Sequence, residues 1–261
     1  MSDFNMAWDI DGEREYETGV DHGVLFTQKA PAKLPGASGA FNKCAYGKAT
    51  VWNGLSSVTE TPGGAEANNI YADNIKYAIL RSAETLGGTI EAYMYPPEFG
   101  ECNGEASPVS GVHVGQQKRK SFGFSFRTDV GDDEDSVVDP NTDYKLHLWY
   151  NCTAKPSDRQ YQTINESPEA ITFSWEIETT PIAFRSETYS DLVPTASLTI
   201  DSRQFTDANE AKLTALLEVL YGTAASGSTA AVEGYLPTPD AVLDILSTGT
   251  KPTEQEINRG N

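Results

Sequence analysis

The residues most able to do chemistry are crowded into one stretch, "GDDEDSVVDPNTD", from Gly131 to Asp143. Asp132, Asp133, Glu134, Asp135, Asp139 and Asp143 together could hold a cation or serve as catalytic carboxylates. An EF-hand loop requires Asp or Asn at alternate positions, a central glycine for the turn and a bidentate glutamate at position twelve. "DDEDSVVDPNTD" has neither the glycine nor the glutamate in place, so a solvated acidic loop is the expectation. A glycosidase requires two carboxylates held across a sugar, one kept protonated. Glu176 and Glu178 alternate outward beside aromatic residues and imitate such a pair, but a polar outer strand face explains them as well.

His22, His113 and His147 lie near no nucleophile-elbow or zinc-protease pattern, and His147 is expected as a hydrogen-bonded structural side chain. Cys44, Cys102 and Cys152 lack metal-ligand spacing and are expected as free thiols of a reducing compartment. No phosphate-binding glycine motif occurs. Lys118, Arg119 and Lys120 are too few to bind nucleic acid in a chain of 38 acidic and 19 basic residues, net −19. They are expected to pair with neighbouring carboxylates or to rim a protein contact. Charge of this sign repels phosphate backbones, because no counterions are released on contact. No metal, cofactor or enzymatic activity is therefore expected, and the balance favours binding or assembly.

The elements that must position these residues are mostly strands. Period-two alternation runs through 88–95, 121–127, 144–150, 171–177 and 195–200. It directs Ile90, Ala92 and Met94, then Phe122, Phe124 and Phe126, inward. It does the same for Tyr144, Leu146, Leu148 and Tyr150, for Ile171, Phe173, Trp175 and Ile177, and for Ala196, Leu198 and Ile200. Trp149 falls on the polar face of its strand, where it could stack on a sugar. Ile75, Tyr77 and Ile79 fit a further strand within 73–82, and the acidic stretch becomes a hairpin tip.

One helix is expected at 207–221, with Asp207 as N-cap, Glu210 completing a capping box, and Gly222 as the stop. A short second helix is expected at 238–246, with Thr238 as cap and Pro239 in its first turn. Residues 223–237 read as a linker and the last fifteen as disordered. "TPGGAE", residues 61–66, reads as a turn-rich loop. The acidic N-terminus lacks the apolar core of a signal peptide.

Several phrases in order carry a family resemblance: "WDIDGEREYETGVDHGVLF" (8–26), "NGLSSV", "YADN", "GTIEAYMYPPEF", "ITFSW" with "TTP", and "LPTPD". With them the chain resembles the major tail tube proteins of long-tailed phages, of the type found in phages and prophages of Gram-positive bacteria. The resemblance implies an antiparallel β-sandwich or partial barrel with one flanking helix and a short C-terminal one. It divides the chain into an N-terminal arm (1–20) that orders on assembly, a β domain with its helix (21–222), and a linker, short helix and tail (223–261).

It further implies a homo-hexameric ring, stacked into a tube around a tape-measure protein, between a tail terminator and a distal tail protein. DNA passes through the lumen without tight binding. The site would be the virion tail, after synthesis in the host cytoplasm. Pro62, Gly63, Gly64, Ala65 and Glu66 are then the expected ring-stacking loop, and Asp132, Asp133, Glu134 and Asp135 an acidic loop at the ring seam or lumen. The inner tube of a contractile tail or injection machine, and a carbohydrate-binding β-sandwich, are the alternatives.

Overall fold

The computed structural model describes residues 14–29, 42–64, 66–81, 84–133, 143–161, 163, 170–206, 209–227, 230–253 and 256. The strands are β1 (Tyr16–Lys29), β2 (Cys44–Val51), β3 (Leu55–Gly64), β4 (Ala67–Ala72), β5 (Ile75–Arg81), β6 (Glu84–Ala92), β7 (Ala106–Val109) and β8 (Val112–Val114). After them come β9 (Phe122–Gly131), β10 (Tyr144–Ala154), β11 (Phe173–Glu178), β12 (Ser197–Asp201), β13 (Gly222–Thr223), β14 (Val232–Glu233) and β15 (Leu236–Pro237). Two helices, α1 (Glu210–Tyr221) and α2 (Pro239–Thr248), complete the fold, a mainly antiparallel β-sandwich.

Nine strands form one sheet in the order β15-β2-β1-β9-β10-β11-β6-β3, with β12 pairing the first half of β10. The sheet curls until β3 approaches β1: a side chain at Gly23 would meet Leu55 Cδ1 at 2.5 Å. Alternation along the central strands therefore feeds two cores. Val24, Phe26, Tyr144, Leu146, Leu148 and Tyr150 face a layer built with α1 and α2. Leu25, Phe122, Phe124, Phe126 and Trp149 face a second core, closed by Trp52, Phe99, Ile90 and Trp175. Both clusters sit on the same strands because successive side chains of a strand point to opposite faces.

Trp149 is thus a correction to the sequence reading. It is fully buried, with its Nε1 donating to Glu60 at 3.1 Å, and cannot stack on a sugar. The expectation assumed one wet face, whereas β10 is central and covered on both. Beyond it a bulge resets the strand: Asn151 takes φ 48 and the β9–β10 register shifts between Trp149 and Cys152. One extra residue reverses the facing of the residues after it, so Cys152 and Ala154 join the second core although their parity predicts the first.

The helix layer follows its pattern. Leu213, Leu216 and Leu220 are buried, and Leu217 and Tyr221 pack against the same cluster. The start differs, since Glu210 opens α1 behind Asn209, which gives no side-chain cap, and so does not complete a box; Asp207 lies outside the described residues. α2 begins at Pro239 after Thr238, as expected, and runs to Thr248.

Residues 223–237, expected as a linker, carry three short strands, and Leu236 is buried where β15 pairs β2. Part of the expected disordered tail is also fixed: Lys43 pairs with Asp244 at 3.3 Å and Glu256 at 3.2 Å, and Lys251 pairs with Glu218. Strand β6 ends at Ala92, so Met94, expected inward, is exposed, as is Ile171 before the start of β11.

Candidate assembly surface

The feature that stands apart from the sandwich is a hairpin arm. Strands β3 and β6 pair along nine rungs, from Leu55↔Ala92 to Gly64↔Glu84. The chain then continues into the two-stranded ladder of β4 and β5, from Ala67↔Arg81 to Ala72↔Ile75. Six rungs extend roughly 20 Å at the rise of a β-strand. Asp73 and Asn74 close the tip with φ of 50° and 65°. Positive φ at both central residues is the signature of the two-residue turn whose twist matches paired strands, and Asp and Asn tolerate it.

The expected loop 61–66 lies at the root of this arm and is mostly not a loop. Pro62 and Gly63 are strand residues opposite Leu86 and Thr85. Pro62 is tolerated because β3 is the sheet's edge and its outer side needs no amide donor. Gly64, with φ 80, marks the change of direction. Ala65 lies outside the described residues, and Glu66 is exposed.

Along β5, Ile75, Tyr77 and Ile79 are 63%, 72% and 50% exposed; a bulge between the Ile70↔Ala78 and Tyr71↔Lys76 rungs leaves Tyr77 opposite no residue and puts Ile75 and Ile79 on opposite faces of the ladder. Their spacing in the sequence is that of a half-buried strand, yet no third element of the described chain covers them. The sequence signal was present; what it could not say is whether the covering layer belongs to the same chain. A smaller hairpin, β7 with β8, likewise exposes Val109, Val112 and Val114.

The acidic stretch hangs between β9 and β10. Val130 donates to the Asp143 carbonyl at 2.8 Å, pinning its neck. Asp133 accepts from the Arg14 guanidinium at 3.0 Å, and Asp132 is half-buried. Glu134 and Asp135 lie outside the described residues. Next to it runs a belt of charge that ties the start of β1 to the sheet. Glu15 meets Arg203 at 2.5 Å, and Glu17 meets Lys145 at 2.6 Å and the Thr128 hydroxyl at 2.6 Å.

Partial burial pushes the Glu17 carboxyl up, but Lys145 and Thr128 outweigh it and hold it below its ordinary value. His147 stacks on Phe126 with centroids 4.6 Å apart and hydrogen-bonds Thr128 at 2.9 Å, a structural histidine as expected. Burial lowers its pKa against the pull of Glu60 and Glu17.

The remaining candidates are absorbed by structure. Glu176 and Glu178 both pair with Lys155, at 2.5 and 2.7 Å. Lys120 pairs with Glu101 at 2.5 Å, and Arg119 donates to the Ala154 carbonyl at 3.1 Å. The three cysteines are buried.

Sequence reasoning did not foresee an apolar cleft of about 210 Å³ lined by His22, Gly23, Val24, Ala49, Val51 and Tyr221. It opens where the helix layer stops: α1 ends at Tyr221 and Gly222, at φ 77, turns the chain away. Beside it Arg127 lies over the Tyr144 ring at 4.0 Å and donates to the Tyr221 hydroxyl at 3.1 Å. Asp129 is near as well, its carboxyl raised first by burial and then by the charge of Asp21.

An arm and two apolar surfaces offered outward, with charges paired among themselves, describe a part made to be assembled. No curated protein matches the chain. The family model for the phage tail tube protein matches residues 21–226, which takes in most of the sheet, the arm and α1. The chain belongs to the phage tail tube protein family, and is a structural component of a phage tail.

Proposed function

We propose that the chain forms six-membered rings that stack into the hollow tube of a long-tailed phage, through which the genome is delivered. The observation that carries this reading is the β4–β5 arm, whose Ile75, Tyr77 and Ile79 are exposed across its two faces. An arm that leaves its own sandwich can bury its apolar side chains against a neighbouring copy. Different patches meeting head to tail close into a ring, and a second contact stacks rings into a polymer of set width. The outer edges of β3 and β12 offer backbone groups for joining sheets between neighbours, which removes exposed edges.

Pro62, Gly63, Gly64, Ala65 and Glu66, at the root of the arm, belong to the ring-stacking contact in this reading. Asp132 and Asp133, with Glu134 and Asp135, line the seam or the lumen. A charge of −19 per copy gives DNA phosphates no reason to adhere, so the genome slides. The tube would be laid down around a tape-measure protein, between a terminator and a distal tail protein, in the host cytoplasm before release in the virion.

Negative-stain microscopy of the concentrated full chain is the test. Hollow tubes of uniform width or six-fold rings are the expected result. A chain that stays monomeric at every concentration and salt and binds sugar would replace this reading with the carbohydrate one.

A further inference from the structure

The arm and the cleft each have what the other lacks. The arm presents an aromatic ring with no cover, and the cleft presents apolar walls with nothing between them. We infer that Tyr77 of one copy inserts into the cleft formed by His22, Val24, Ala49, Val51 and Tyr221 of a neighbouring copy; this rests on the tube reading above.

Size is the first argument. A cleft of about 210 Å³ is below the ~300–1,000 Å³ of small-molecule pockets, so it suits one inserted side chain better than a free ligand. Composition is the second. Val24 and Val51 are a register pair on β1 and β2, and Val51, 64% exposed, stands on the rim as an apolar surface awaiting contact. Interfaces place a buried aromatic anchor in such a pocket and ring it with weaker contacts. Tyr77 is the bulged residue of β5, paired with no residue of β4, and at 72% it is the most exposed aromatic of the arm.

Reach is the third. The arm stands off its own sandwich on a rigid two-residue turn, so its tip is presented to another molecule.

The full-length chain carrying Tyr77→Cys and Val51→Cys together tests this, because the native cysteines are buried and stay silent. Mild oxidation under polymer-forming conditions is followed on a non-reducing gel. The expected result is a ladder of covalent multimers at least tenfold above either single variant. Tyr77→Ala should raise the concentration needed for polymer at least tenfold with an unchanged melting temperature.

Polymers that form without the 51–77 link overturn the inference and leave the tube reading intact. So does a link that closes within one chain, or dimerisation by Tyr77→Cys alone, which would mean that arms pair with arms. A wild-type chain that never polymerises overturns both.

Discussion

Asp129 shows how one side chain can be placed for something other than stability. Its carboxyl is raised above the ordinary 3.8 by burial and by Asp21. The folded state therefore holds that proton more tightly than the unfolded chain does. Its contribution is fully present below the unfolded value and is lost as pH rises through the raised folded one. Asp129→Asn should accordingly raise the melting temperature at pH 7 and flatten the change of stability across the acid range. A lower melting temperature in a pH-scanned thermal melt would contradict this. Asp201 has the opposite sign: the hydrogen bond from Arg203 holds it low, so its contribution is present at neutral pH and lost on acidification. At this scale the sequence was partly legible. The roles of His147 and Lys120 followed from residue type and neighbourhood, but Trp149 did not, because alternation alone does not reveal that both faces of β10 are covered.

Elements were more legible than their ends. Strands β5, β6, β9, β10, β11 and β12, with α1 and α2, were announced by period and by stop residues such as Gly222, whereas β1–β4, β7, β8 and β13–β15 were not. What misled was the cluster Pro62–Gly63–Gly64, which carries turn chemistry but lies on an edge strand that tolerates it. The neighbouring glycines of β6 have a different reason. A Cβ at Gly88 would meet the Thr59 carbonyl at 2.5 Å and Trp149 Cη2 at 2.6 Å. The indole packs where a side chain would stand, so β3, β6 and β10 close only around a glycine. Gly88→Ala should cost about 1–3 kcal/mol in urea unfolding, the usual penalty for overpacking. Gly115→Ala, with nothing within 4 Å, is the control and should change stability little. Equal effects at the two sites would remove close packing as the reason for Gly88. The cleft was not legible at all, since it arises from where a helix stops relative to a sheet, a relation that no local pattern records.

At the scale of the whole molecule, an exposed apolar arm coexists with a charge of −19. Contact surfaces draw copies together while the charge holds them apart, so assembly is expected to depend on screening. Raising salt from ~0.01 M to ~0.15 M shortens the Debye length from ~30 to ~8 Å. Polymer yield, read by light scattering at fixed protein concentration, should rise across that range; a fall would mean that ion pairs, rather than the apolar side chains of the arm, join the copies. The placement of the cysteines has a separate consequence. Cys44 sits in the helix-side core, while Cys102 and Cys152 sit in the other. Each core therefore carries its own alkylation clock. If the two layers open as one cooperative unit, the thiols become reactive at a common rate, and if the sheet can shed its helices first, Cys44 is modified ahead of the other two.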